Sequence, residues 1–235
     1  MYRFLAFLLS VISFVSSLSS APEVRSYEYM SENLWTDHVK HMNKLFELTK
    51  ITSFLEFGVG EGTQYYLENC EEVTSIELLD SKNAEASEQC YNQYLDLYST
   101  ATNWHPILHR CTKAIDDAVA VAELQNINPI TVNSAYQLEI ESICDSLFKN
   151  KTYDVVFVDT RVIVRGSIVN EIFGRADIIV AHDVCNHPTI YGWEWVNTPD
   201  DYERIRFMEG SGTAFWIKKT RSDIIEGLKK YPHYP

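Results

Sequence analysis

Phe54-Leu55-Glu56-Phe57-Gly58-Val59-Gly60-Glu61-Gly62-Thr63 is a short apolar run that breaks into glycines at alternate positions. The residues after it, Gln64 to Asn69, predict the start of a helix. A strand, a glycine turn and a helix in this order bring backbone N–H groups and a helix N-terminus together at one edge of a sheet. Because glycine lacks a Cβ, the chain there can turn sharply or lie directly against a ligand. The pattern therefore favours a site for the polar end of a nucleotide-like cofactor, with a plain strand–helix connector as the alternative.

A second predicted strand, Val73 to Asp80, carries an acidic residue near its C-terminal end. Glu77 lies about 20 residues after the first glycine, where dinucleotide-type folds place the carboxylate that accepts the ribose hydroxyls. We expect Glu77 to take this role, with Asp80 as the second candidate and an exposed strand-end acid as the alternative reading.

The glycine spacing separates two kinds of cofactor site. Nicotinamide and flavin sites carry G-x-G-x-x-G, whereas here the third glycine comes one residue sooner, as Gly58-Val59-Gly60-Glu61-Gly62. With Glu56 in front, the E-x-G-x-G-x-G string resembles the first motif of class I S-adenosylmethionine-dependent methyltransferases. The resemblance runs from about Ile51 to Lys219.

This resemblance implies a fold and a cofactor. The fold is an α/β, three-layer α/β/α sandwich of the Rossmann-like methyltransferase type, with a mostly parallel seven-stranded sheet that ends in an antiparallel hairpin. The cofactor is S-adenosyl-L-methionine. The residues that the resemblance assigns to its binding are Glu56, Gly58, Gly60, Gly62, Glu77 and Asp159.

Two further runs predict central strands that end in polar residues. Tyr153 to Thr160 is almost continuously β-branched or aromatic and ends near Asp159, and Ala176 to Val184 ends near His182-Asp183. In an open α/β sheet, side chains at the C-terminal ends of the strands point into the crevice where ligands bind. We therefore expect Asp159, His182 and Asp183 to be catalytic or substrate-facing residues, with His182 or Asp183 as a base for a hydroxyl or amine acceptor. A structural strand-end acid and a histidine satisfied by backbone are the alternatives.

The same strand ends resemble a methyltransferase subgroup with F-V-D and H-D, some members of which hold a divalent cation with acids at these positions. Asp159 and Asp183 would be the ligands in this chain, and oxygen ligands suit Mg²⁺ or Ca²⁺. However, Val184 stands where that pattern has an asparagine ligand, and Arg161-Val162 stand where it often has a histidine. We therefore do not favour a metal at this pair.

The charge of the chain limits its partners. Its 235 residues carry a formal net charge of −13, which argues against a nucleic-acid groove because phosphate binding needs clustered Lys and Arg. A small-molecule or protein acceptor fits this charge better.

The N-terminal segment predicts targeting. Residues 1–21 have one basic residue, an apolar run and then small residues, as in a secretory signal peptide, and residues 26–235 form the methyltransferase-like domain. This predicts a periplasmic or secreted protein, with an uncleaved membrane anchor or a buried helix of a cytoplasmic protein as alternatives.

Three other predictions concern the elements around the sheet. Ser31 to Lys50 predicts one helix that either covers the cofactor or packs on the sheet edge, with His38 and His41 expected at the surface. The tyrosines of the predicted helix Ser81 to Tyr98 are expected to face the core. The runs Tyr202 to Glu209 and Thr213 to Lys219, joined by a Gly-Ser-Gly turn, predict a terminal hairpin.

Two functions of other classes stay open on this sequence. One is an exported binding module that keeps the fold without catalysis, and the other is a Rossmann enzyme that uses a nicotinamide cofactor. The methyl acceptor and the oligomeric state are not indicated by any residue pattern.

Overall fold

The computed structural model describes residues 22–80, 84–113, 115, 134–160, 164–185 and 191–231. The predicted signal segment 1–21 lies outside these residues. Within the described residues, the helices are all too short or too polar to cross a bilayer.

One sheet forms the centre of the molecule. Its strands are β1 (Ser53–Phe57), β2 (Glu72–Leu79), β3 (Trp104–Arg110), β4 (Val155–Val158), β5 (Ile178–His182), β6 (Tyr202–Phe207) and β7 (Thr213–Lys218). Their order is β3-β2-β1-β4-β5-β7-β6. The first five strands pair in parallel, and β7 lies antiparallel to both β5 and β6. This confirms the predicted α/β fold, in which a mostly parallel seven-stranded sheet ends in an antiparallel hairpin as in class I methyltransferases.

Helices cover both faces of this sheet. They are α1 (Tyr27–Glu32), α2 (His38–Leu48), α3 (Glu61–Asn69), α4 (Ala84–Leu97), α5 (Ser134–Phe148), α6 (Arg165–Ile172) and α7 (Ser222–Lys229), with a 3₁₀ turn at Trp193–Trp195.

The strand alternation divides the core into two clusters. In β1, Leu55 and Phe57 point to the face that α5 and α6 cover, whereas Phe54 points to the face that α2, α3 and α7 cover. All three side chains are fully buried. Because successive side chains of a strand point to opposite faces, an almost continuous apolar strand fits only between two helical layers. The three-layer sandwich follows from this.

The parallel register aligns the C-terminal ends of the strands. Phe57, the last residue of β1, pairs with Ile76 of β2 and with Val158 of β4, and Val158 pairs with Ala181 of β5. The residues that follow these positions therefore meet at one edge of the sheet, which we call the C-terminal edge.

One helix prediction was wrong, and one helix was not predicted. The predicted helix from Ser31 to Lys50 is divided into α1 and α2 by a turn at 33–37, and α6 was not predicted. His38 and His41, expected at the surface, are buried because α2 packs its histidine-bearing face on the sheet. The tyrosines of α4 are buried as predicted, since Tyr91 and Tyr94 and the following Tyr98 all lie in the core.

Candidate functional site

The glycine turn between β1 and α3 lies at the C-terminal edge. Gly58 has φ +111° and donates its N–H to the Ile76 carbonyl (2.8 Å). A Cβ at Gly58 would lie 2.4 Å from the carbonyl oxygen of Asp159, so the turn is pressed against the end of β4. Only glycine combines this φ with so close an approach of two backbones.

The other two glycines of the motif have different surroundings. A Cβ at Gly60 would meet no atom of the described residues within 4 Å, whereas a Cβ at Gly62 would lie 2.9 Å from Nε2 of His38. The main chain is therefore open beside Gly60 and covered by α2 beside Gly62. A ligand at this turn has room along Gly60.

Glu77 is buried near the end of β2, and its carboxylate faces the turn. Its Oε2 accepts a hydrogen bond from the backbone N–H of Val59, at 2.8 Å. The structure thus brings the predicted acid and the predicted glycine turn together. Asp80, the second candidate, follows the end of β2 and is only partly buried.

Glu56 lies beneath the turn and is bound by groups of the protein itself. Its Oε1 accepts hydrogen bonds from Thr63 Oγ1 (2.8 Å) and Ser75 Oγ (2.5 Å). Thr63 Oγ1 also accepts the N–H of Gly60 (3.0 Å), and Ser75 Oγ accepts the indole N–H of Trp104 (2.7 Å). These bonds connect the turn to β2 and β3.

Burial raises the pKa of the Glu56 carboxyl to about 8, although the Ser75 and Thr63 hydroxyls act in the opposite direction. Glu56 is therefore largely protonated at neutral pH. A neutral acid fits its place inside the fold, where an ionised carboxylate would lack solvation.

The strand ends of β4 and β5 bring the predicted residues Asp159, His182 and Asp183 into one charged cluster. His182 lies between two carboxylates, with Nδ1 3.2 Å from Asp159 Oδ2 and Nε2 2.7 Å from Asp37 Oδ1. Burial alone would lower the pKa of His182, but Asp159 and Asp37 outweigh burial and raise this pKa to about 10. His182 is thus an imidazolium at neutral pH, unlike the neutral base that the sequence predicts.

Arg165, the first residue of α6, completes this cluster. Its Nη1 lies 2.8 Å from Asp159 Oδ1 and 2.8 Å from Asp183 Oδ2, and its Nε donates to the Thr160 carbonyl at 2.7 Å. The ring of Tyr191 covers the guanidinium at 4.2 Å. The guanidinium thus lies between Asp159 and Asp183, the two carboxylates that the sequence offers as candidate cation ligands.

Asp183 has a backbone conformation that suits its place in this cluster. Its φ is +62°, the only positive value for a non-glycine residue in the described ranges. Asp and Asn tolerate this left-handed conformation better than other residues with side chains. The conformation lets a residue just past the end of β5 share the guanidinium of Arg165 with Asp159.

His38, which the sequence did not predict here, is the first residue of α2 and lies against this cluster. Its ring packs edge-on against the His182 ring, with 4.5 Å between centroids, and lies 4.6 Å from the Phe157 ring. Burial lowers the pKa of His38 well below its ordinary value, so its ring is neutral. His38 therefore contacts both the glycine turn, at Gly62, and the charged cluster.

The arrangement consists of two adjacent parts. One part is the glycine turn with Glu77, where backbone and a carboxylate meet beside open space. The other part is the charged cluster of Asp37, Asp159, Arg165, His182 and Asp183, in which each of the three carboxylates pairs with Arg165, with His182 or with both. Asp159 is the most exposed of its charged side chains, at 22%.

No protein-family model and no curated protein matches this sequence. Solved structures with a similar fold include an O-methyltransferase from Bacillus cereus in complex with SAH, at 12% identity and a TM-score of 0.47, over 89% of this chain and 90% of that one. The N-methyltransferase NodS from Bradyrhizobium japonicum gives 8% identity and a TM-score of 0.43, over 79% and 96%. Spermidine synthase from Thermotoga maritima gives 10% and 0.42, over 85% and 65%. These similarities concern the fold alone.

Proposed function

We propose that this chain binds S-adenosylmethionine at the glycine turn and transfers its methyl group to a hydroxyl or amine of a small-molecule or protein acceptor. The observation that carries the proposal is the pairing of Glu77 with the turn. A buried carboxylate at the end of β2 accepts the N–H of Val59, directly before a glycine with open space beside it. The strand order and the E-x-G-x-G-x-G string support the same proposal.

The residues at the turn fit an adenosyl ligand in their chemistry. A carboxylate accepts hydrogen bonds from vicinal ribose hydroxyls, and main chain without a Cβ permits a ligand to approach closely. Gly60 and Glu77 would supply these two features. Gly58 would act indirectly, because it sets the course of the turn against β4.

When bound, the cofactor supplies a methyl group on a sulfonium, and the protein mainly aligns donor and acceptor. In this reading Asp159 is the polar group that an acceptor contacts, because it is the most exposed charged side chain of the cluster. His182 and Arg165 hold its two carboxylate oxygens in place. Asp183 holds Arg165, and His182 holds Asp159. Asp183 and His182 therefore act as positioning residues.

The proposal is tested by calorimetric titration of S-adenosylmethionine into the wild type and three variants. Glu77→Ala and Glu77→Gln remove the carboxylate and are expected to reduce the affinity at least tenfold, while Asp80→Asn removes the neighbouring acid and is expected to bind like wild type. Since carboxylate–hydroxyl bonds are worth about 1.5 to 3 kcal/mol each, the loss should be easily measured. Unchanged affinity in Glu77→Ala would refute the ribose assignment, and tight binding of NADH would favour the nicotinamide alternative.

A non-catalytic binding module is the second candidate. It is favoured by the charged cluster, in which His182, Asp159 and Asp183 are all ion-paired within the protein. It is also favoured by the contact between His38 and the turn at Gly62. A thermal-unfolding assay separates the two: a methyltransferase is stabilised by S-adenosylmethionine, whereas a module that has lost the site shows no shift.

A further inference from the structure

Three side chains from three separate elements converge beside the glycine turn. His38 begins α2, Asp159 follows β4 and His182 ends β5. One ligand atom from each of these residues lies within 4.8 Å of the other two. They are distant in sequence, so only the fold brings two imidazoles and a carboxylate together.

The side chain of His38 makes no hydrogen bond within the described part of the chain. It is 2% exposed, and neither Nδ1 nor Nε2 has a hydrogen-bond partner among the residues that the structure describes. Burying an unsatisfied polar side chain destabilises a fold, so such a group in a native structure requires an explanation. A neutral imidazole with an available lone pair is the commonest metal ligand in proteins.

His182 has the second contact that metal-binding histidines usually have. Its Nε2 lies 2.7 Å from Asp37 Oδ1, while Asp37 Oδ2 accepts the N–H of Ser211 at 3.2 Å. A carboxylate on one ring nitrogen orients the ring and leaves the other nitrogen for a metal. That other nitrogen, Nδ1, already faces Asp159 Oδ2.

The two oxygens of Asp159 are divided between two neighbours. Arg165 holds Oδ1, and Oδ2 faces His182. The cluster has three carboxylates, those of Asp37, Asp159 and Asp183, against one permanent cation, Arg165. Metal binding would release the Nδ1 proton of His182, because a metal needs the lone pair of a neutral imidazole. With His182 neutral, a divalent ion on Oδ2 would bring the sum of these charges to zero, since −3 + 1 + 2 = 0.

We infer that His38, Asp159 and His182 form a binding site for a divalent transition metal, with Asp37 as the outer carboxylate that orients His182. Two imidazoles and one carboxylate suit Zn²⁺ better than Mg²⁺ or Ca²⁺, which prefer oxygen ligands. Zn²⁺ binds such ligands at about 2.0 to 2.2 Å, so the three side chains must close slightly around it. This site differs from the Asp159–Asp183 pair, because Arg165 lies between those two carboxylates.

Metal binding is measured on the full chain after dialysis against a chelator, without any adenosyl cofactor. Calorimetric titration with Zn²⁺ is expected to show one ion per chain, and Co²⁺ is expected to give the visible absorption of a coordinated ion. His38→Ala should lose at least about a hundredfold in Zn²⁺ affinity, and Asp37→Asn about ten- to a hundredfold. Because the readout is binding of the metal alone, it does not depend on the proposed methyl transfer.

Two controls keep the result interpretable. His41→Gln changes the other buried histidine of α2, which stacks on Phe207 at 4.5 Å, and His105→Ala removes a histidine whose side chain is 53% exposed. Both should bind Zn²⁺ like wild type. If His38→Ala does not fold, His38→Gln replaces it, with thermal unfolding in the absence of metal as the folding check. Equal Zn²⁺ binding by wild type and the His38 variants, or no binding by wild type, would overturn the inference.

Discussion

Replacing Glu56 by glutamine should change how the stability of this protein depends on pH. The carboxyl lies beneath the glycine turn, is 2% exposed, and has a pKa raised from 4.5 to about 8, mainly by burial. The folded state therefore keeps a proton on Glu56 between about pH 4.5 and 8, whereas the unfolded state has released it. Stability falls with rising pH wherever the folded state binds more protons, so this group destabilises the fold progressively up to about pH 8.

The size of the effect follows from the two pKa values. At 1.36 kcal/mol per pKa unit, a shift from 4.5 to about 8 corresponds to on the order of 5 kcal/mol in full, and roughly 3 kcal/mol of it is lost between pH 5 and pH 8. Glutamine is neutral at every pH and has the same shape. Its carbonyl oxygen can accept the hydroxyls of Thr63 and Ser75 as Oε1 of Glu56 does.

Urea unfolding at pH 5, 6, 7 and 8 measures this contribution as the difference between Glu56→Gln and wild type, so that the titration of all other groups cancels. The free energy of unfolding of the variant, measured relative to that of wild type, is expected to rise by roughly 3 kcal/mol between pH 5 and pH 8. Glu226→Gln, which neutralises a carboxylate whose side chain is 65% exposed, should show the same pH dependence of stability as wild type. If the Glu56→Gln curve is also parallel to wild type, Glu56 is not a protonated buried acid and the reasoning is refuted.

Two further substitutions test the contacts that build the site, each by urea unfolding. Gly58→Ala should lower the free energy of unfolding by at least about 3 kcal/mol, because φ is +111° and the new Cβ would lie 2.4 Å from a backbone oxygen at the end of β4. Gly174 also has a positive φ, +83°, but a Cβ there would meet no atom of the described residues within 4 Å, so Gly174→Ala should lower the free energy of unfolding by only about 1 kcal/mol. Similar losses in the two glycine variants would contradict the close approach. Arg165→Met should reduce the free energy of unfolding by about 3 to 5 kcal/mol, because it leaves Asp183 without its cation and removes one of the two cations beside Asp159. Adding Asp183→Asn should restore part of this loss. Arg110→Ala, which breaks an exposed ion pair with Glu88, should leave the free energy of unfolding unchanged within error. An Arg165→Met protein as stable as wild type would contradict the ion-pair assignment.

The strands and the glycine turn could be predicted because their signals are local. Val155–Val158 is an uninterrupted apolar run, and so are the first four residues of Ile178–His182; a run of that kind fits a strand covered on both faces. The turn between β1 and α3 is marked by glycines at alternate positions, one of which has φ +111°. The pairing of Glu77 with this turn could also be predicted, since it depends on the spacing of two neighbouring strands.

The break between α1 and α2 could not be predicted in the same way. Neither glycine nor proline marks the turn at 33–37, and the contacts that hold it are distant in sequence. Asp37 binds His182 and the N–H of Ser211, which lie 145 and 174 residues further along the chain. Only the assembled sheet shows why the chain turns there.

The burial of His38 is indicated by its spacing from apolar residues of α2, although its own polarity predicts an exposed position. His38, Met42 and Leu45 recur at helical spacing on one face of α2, and all three are buried. Histidine counts as polar in such a pattern, so the residue is expected at the surface. The role of Arg165 had no signal in the sequence, because its two carboxylate partners are brought to it by the ends of separate strands.

A crystal structure of the protein grown with S-adenosylmethionine tests the central claim most directly. We predict that the adenosyl ribose lies within hydrogen-bond distance of the Glu77 carboxylate and that the ligand lies along the main chain at Gly60. A ligand bound elsewhere, or a turn that stays without ligand at saturating cofactor while Glu77 remains on the N–H of Val59, would contradict it.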